Sequence, residues 1–194
     1  MAEELPLATV HSAVLKFLQG RDDAAVFGAQ AVNAYVRVAR MTQDVDLISP
    51  RGKLLSYEIC SYLHDLFRIA VRVRAVAGGE GHRVYQLRAS GNRNLVDVRQ
   101  VSELPACRRM DDILVVAPAD LLAMKVISMV ARSYTPKGLT DEADSLRLLI
   151  TFPELRETNG EVFEALRKLN AGSLALQRWQ VLIAQPFSDD SDEY

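Results

Sequence analysis

A short apolar run, Ala24-Ala25-Val26-Phe27, stops on Gly28 and passes without a linker into a helical pattern over residues 29–38. No other feature restricts the fold as much. A chain that leaves a buried strand and enters a helix within one residue needs a corner without a Cβ. It also needs layers, because strand and helix must each bury an apolar side against the other.

The pattern around this corner is mixed. Leu7, Val10, Val14, Phe17 and Leu18 predict a helix over 6–19, closed by Gly20. Val45, Leu47 and Ile48 mark a strand stopped by Pro50-Arg51-Gly52, and a helix follows over 53–66. Residues 69–76 alternate apolar with arginine, the period of a half-exposed strand. Gly78-Gly79-Glu80-Gly81 reads as a hairpin or loop, and residues 84–87 and 95–98 as strands separated by Ser90-Gly91-Asn92. Residues 113–116 form a last apolar strand before Pro118, and the chain then turns helical over 119–133, 140–151, 160–170 and 172–184. The expectation is an α+β front over 1–117, a helical part over 118–194, and a short acidic, mobile tail from 188.

Composition narrows the class. In 194 residues, 49% are hydrophobic and 25% charged, which excludes a disordered or collagen-like chain. Cys60 and Cys107 form no C-x-x-C, so neither a disulfide scaffold nor a structural zinc site is expected. A reducing cytoplasm is the expected location: no apolar run is long enough to cross a bilayer, and the first residues are acidic where a signal peptide is basic. Charge is uneven, with 14 Lys and Arg against 9 Asp and Glu over 21–109, and 8 against 14 over 110–194. A basic front half is compatible with a phosphate-bearing partner.

Chemistry concentrates near Gly28. Asp44 and Asp46 lie two apart, so on a strand they share a face with Cα atoms roughly 6.6 Å apart. Acidic residues are depleted in strands, and neighbouring like charges repel unless a cation lies between them. Oxygen ligands of this kind suit Mg²⁺, which takes one or two carboxylates together with substrate phosphates. Asp97, between Val96 and Val98, is a third candidate: if its strand neighbours that of Asp44 and Asp46, the set could serve two metal ions. The free amides opening the helix after Gly28 attract phosphate. Farther on, Lys125 interrupts the apolar Leu121–Ile127 helix segment and needs either to snorkel or to meet an anion; Arg132 shares its face, and Lys137 and Asp141 follow. His11, His64 and His82 have no metal-ligand spacing, and Trp179 and most tyrosines read as packing or surface residues.

Gly28-Ala29-Gln30-Ala31, Arg40-Met41-Thr42-Gln43-Asp44-Val45-Asp46-Leu47, Leu95-Val96-Asp97-Val98, Leu121-Leu122-Ala123-Met124-Lys125 and Lys137-x-x-x-Asp141 together resemble the DNA polymerase β-type nucleotidyltransferases. The nearest branch by these motifs is the AbiEii/AbiGii toxin-type enzymes, over residues 24–150. The resemblance implies a nucleotidyltransferase-type mixed sheet with flanking helices, then a helical C-terminal part. It implies transfer of a nucleoside monophosphate from an NTP to a hydroxyl, with pyrophosphate released. Asp44, Asp46 and Asp97 would hold Mg²⁺ or Mn²⁺ and form the catalytic set. Gly28, Ala29, Thr42, Lys125 and Lys137 would bind the nucleotide, with Ala29 standing where the family carries Gly or Ser. The acceptor would be a tRNA or other RNA end, which a basic rim of Arg68, Arg72, Arg74, Arg83 and Arg88 favours. An antitoxin protein would be a further partner, and no membrane is involved. Two alternatives stay open: a non-catalytic module that binds nucleotide or protein, and an antibiotic-type enzyme with a small-molecule acceptor.

Overall fold

The computed structural model describes residues 5–186, so the acidic tail expected to be mobile lies outside the described residues. The described residues divide into two compact units, 5–31 with 40–116 and 32–39 with 117–186.

The first unit is built on a sheet of seven strands: β1 Ala25–Phe27, β2 Val45–Ser49, β3 Val71–Val76, β4 Gly81–Gln86, β5 Arg93–Gln100, β6 Cys107–Met110 and β7 Ile113–Val116. Their order across the sheet is β3-β4-β5-β2-β1-β7-β6. β5 runs parallel to β2 and β7 parallel to β1; the remaining pairs are antiparallel. The sheet is therefore mixed, as the resemblance implied. α1 (Leu7–Leu18) and α3 (Gly52–Phe67) pack together and against the sheet. Alternation decides what they cover. Val84, Val96 and Val98 are buried, whereas Arg72, Arg74, Arg83 and Arg99 are exposed on the opposite alternates. Leu55, Ile59 and Leu63 of α3 and Val10, Val14 and Leu18 of α1 complete that core.

Most strands fall where the sequence places them, with β4 and β5 longer than expected. β6 was not expected, because Cys107-Arg108-Arg109-Met110 has no apolar alternation. It is an edge strand held only by β7, through a turn in which Asp111 and Asp112 take positive φ of 48° and 64°. Charged residues suit such an edge, since they discourage pairing with another chain.

α2 (Gly28–Tyr35) opens in the first unit and ends in the second. The second unit adds α4 (Pro118–Ala131), α5 (Pro136–Thr151), α6 (Glu161–Lys168) and α7 (Ser173–Ala184), with a 3₁₀ turn at Pro153–Arg156. α5 starts earlier than its apolar pattern suggests, because Thr135 caps it by accepting from the Gly138 amide at 3.1 Å. Trp179 is fully buried, as its packing role requires. No helix among the described residues is long and apolar enough to cross a membrane.

Candidate active site

The parallel pairing of β2 with β5 puts Asp46 directly opposite Asp97. Residues opposed on neighbouring strands point to the same side of a sheet, and the strands lie about 4.8 Å apart. Asp97 therefore shares the Asp46 face, with Val96 and Val98 turned into the core. Asp44 lies just ahead of β2, where Thr42 Oγ1 donates to its carbonyl oxygen at 2.6 Å.

β1 brings Gly28 to the same place. Phe27 is opposite Asp46, and Gly28 follows with a φ of +65°. A Cβ on Gly28 would sit 2.1 Å from Asp46 Oδ2 and 2.8 Å from its Cγ. The absent side chain is thus the space that the Asp46 carboxylate occupies, beside the first turn of α2. Ala29 is buried in that turn. Gln30, its neighbour, lies 3.4 Å from the buried His11 ring by Nε2 to Nδ1. Burial pushes His11 below the usual imidazole range, while the Gln43 backbone and the Asp44 charge pull it back up.

Asn94 is a site residue that sequence reasoning missed. β4 pairs Val84 with Val96 but Tyr85 with Asn94, so Leu95 is an extra residue in β5. Such a bulge reverses the alternation beyond it. Leu95 and Val96 are consequently both buried, and Asn94 joins the Asp97 face. There it donates through Nδ2 to Asp44 Oδ2 at 2.8 Å.

Arg83, opposite Asp97 on β4, places Nε 2.7 Å from Asp97 Oδ1. That oxygen is buried and receives no aligned hydrogen bond from a described residue, so the contact is one of proximity and charge. Burial pushes the Asp97 carboxyl above the usual carboxylate range; Arg83 opposes the rise and the Asp44 charge adds to it. Beyond these residues lies a pocket of about 290 Å³ bordered by Phe27, Asp46, Glu80, Arg83, Asp97 and Arg99. The Arg99 guanidinium stands 4.9 Å from the Phe27 ring centre.

The oxygen donors suit a hard divalent cation, and Asp97 Oδ1 is a buried carboxylate oxygen without an aligned donor. The side chains are engaged elsewhere, however: Asp44 by Asn94 and Asp97 by Arg83. Among the described residues no group of three His, Cys, Asp or Glu is gathered as a set able to hold a metal ion.

The lysines belong to the second unit. Lys125 is buried, with Nζ 3.0 Å from Asp141 Oδ1 and 2.8 Å from Asp144 Oδ2. The anion that a lysine on that apolar helix requires is thus supplied by α5. Arg132 joins Asp141 at 2.6 Å. Lys137 is exposed in the first turn of α5. Gly138, after it, has a structural cause: a Cβ there would lie 2.2 Å from the Arg132 carbonyl oxygen.

No protein-family model matches the sequence. No curated protein matches it either. Solved structures do match in shape. The Megavirus polyadenylate synthase is 16% identical, with a TM-score of 0.60 over 78% of this chain and 33% of its own. This chain therefore spans about a third of that protein's length. An antigenic nucleotidyltransferase-like protein from Paracoccidioides brasiliensis is 20% identical, with a TM-score of 0.50 over 89% of this chain and 92% of its own. The antibiotic-resistance factor ANT(2″)-Ia is 13% identical, with a TM-score of 0.52 over 88% of this chain and 92% of its own. At these identities the likeness establishes the fold.

Proposed function

We propose that this chain is a metal-dependent nucleotidyltransferase that moves a nucleoside monophosphate from an NTP to a hydroxyl acceptor, releasing pyrophosphate. The observation that carries the reading is the in-register pair Asp46 and Asp97, with Gly28 pressed against the Asp46 carboxylate. In this reading Asp44, Asp46 and Asp97 hold Mg²⁺ or Mn²⁺. A divalent cation bound there supplies charge stabilisation to the transferring phosphoryl group and its leaving group. Gly28 and Ala29 present backbone amides of the α2 first turn to the triphosphate, and no side chain at 28 obstructs the approach. Asp97, raised by burial, takes the proton of the acceptor hydroxyl. Thr42 acts through the segment it closes onto Asp44. Lys125 is held within the second unit by Asp141 and Asp144.

The acceptor reading is an RNA end. Arg74 and Arg83 lie in one cross-strand row with Asp97 and Asp46, which supports a polyanionic acceptor over a neutral one. The Lys125, Lys137 and Asp141 spacing supports the AbiEii toxin-type branch, whose partner would be an antitoxin. The test incubates each labelled NTP with Mg²⁺ or Mn²⁺ and RNA, aminoglycoside or protein acceptors. Transfer by the wild type and none by Asp46→Ala is expected; equal transfer by both would refute the assignment. A second reading, nucleotide binding without turnover, draws on the engagement of Asp97 by Arg83. It predicts a thermal shift with NTP in the absence of transfer.

A further inference from the structure

We propose that Arg83 is a built-in counter-ion that competes with a divalent cation for Asp97, so that filling the metal site requires the guanidinium to leave. The inference rests on the metal-site reading above and concerns what controls occupancy of that site.

The two residues are directly opposed across β4 and β5, so the contact is set by register rather than by a chance side-chain excursion. Nε reaches 2.7 Å from Asp97 Oδ1, yet that buried oxygen has no aligned hydrogen bond. A bidentate, well-directed fork would hold the carboxylate firmly; a contact held by proximity and charge exchanges more readily. Arg83 also has a way out. Its side chain is 44% exposed against 26% for Asp97, and it borders the pocket of about 290 Å³.

The surroundings favour departure when positive charge arrives. Arg74 is the cross-strand neighbour of Arg83 on the other side, and like charges placed directly opposite repel. With Asp97 neutralising Arg83 this row is tolerable; with Asp97 committed to a cation it is not. The same contact accounts for a puzzle in the site. The backbone registers Asp46 and Asp97 side by side, yet no three ligating side chains among the described residues are gathered for a metal. The guanidinium occupies one of the carboxylates a metal would use.

The test titrates Mn²⁺ alone into the full chain and reads free Mn²⁺ by electron paramagnetic resonance, with melting curves to confirm folding. Arg83→Gln should bind Mn²⁺ about two- to fivefold more tightly than wild type, the range expected from removing a part-exposed ion pair. Arg74→Gln removes the same charge without touching Asp97 and should give less than half that gain. Arg83→Lys, the gentler variant, should lie between wild type and Arg83→Gln. Unchanged or weaker binding by Arg83→Gln, or an equal gain by Arg74→Gln, overturns the competition while leaving the metal site in place. No Mn²⁺ bound by any folded variant overturns the metal site and the competition with it.

Discussion

Replacing Gly28 with alanine tests the corner from which the fold and the site both follow. The backbone there has a φ of +65°, where an L residue costs about 1–2 kcal/mol. The new Cβ would lie 2.1 Å from Asp46 Oδ2, 2.8 Å from Cγ and 2.9 Å from Cβ. Apolar contact begins near 3.5 Å, so the carboxylate must retreat by about 1 Å, and an off-rotamer χ adds about 0.5–1.5 kcal/mol. The expected loss of stability is therefore about 1.5–3.5 kcal/mol, read by urea unfolding. A misplacement of this size costs about 100-fold in a transfer rate. The terms separate in part in the Asp46→Ala background, where the carboxylate is gone but the backbone cost and the 2.9 Å contact with the residue 46 Cβ remain. The coupling between the two substitutions should be about 1 kcal/mol. Additive effects on stability, or Gly28→Ala protein that transfers like the wild type, would show that Asp46 does not depend on the missing side chain.

Lys125→Met should destabilise by about 3 kcal/mol in chemical denaturation, because it removes the buried cation between Asp141 and Asp144 and leaves them only the more exposed Arg132 and Arg147. A loss below 1 kcal/mol would free Lys125 for a purely ligand-directed role. Gly138→Asp should lower the melting temperature, with a cost of about 1–3 kcal/mol, since its Cβ meets the Arg132 carbonyl oxygen at 2.2 Å. For Asp97 the folded pKa is raised, so its contribution to stability is present at acid pH and lost as pH rises through the folded value. Asp97→Asn should remove that slope in melting curves taken across pH and be at least as stable as wild type at neutrality, while losing transfer. His11 runs the other way: its folded pKa is lowered, so stability falls as pH drops through the ordinary imidazole value of 6.5. His11→Gln should flatten that acid limb, and an unchanged limb would assign it to His82, which burial also lowers.

The fold was legible wherever one short-range rule sufficed. Gly28 declared the strand-to-helix corner, and the positive φ and the Asp46 contact show why no other residue serves. The arginine alternation of β3 declared a half-exposed strand, and Arg72 and Arg74 are exposed. β6 was hidden because an edge strand need not be apolar, and Cys107–Met110 pairs on one side only. Gly138 has no pattern to announce it; its cause is a backbone carbonyl six residues earlier, a contact that no periodicity encodes.

The candidate residues were legible by type and hidden in their arrangement. The two-residue period puts Asp44 and Asp46 on one face only if both are on the strand, and Asp44 falls in the bend just ahead of β2. Asp97 needed the strand order, and β5 joins β2 in parallel after β3 and β4 have formed a meander at the edge. Asn94 is not announced by that period: three residues from Asp97, it falls on the opposite face of any regular strand. The extra residue Leu95 inverts the count and turns the amide onto Asp44. A bulge costs a ladder position, and here it serves two ends at once, adding Leu95 to the core and a donor to the carboxylates. Deleting Leu95 would restore the alternation, return Asn94 to the covered face and leave Asp44 without its partner. The chemistry of this face thus depends on a local irregularity in β5 as much as on the acidic residues themselves.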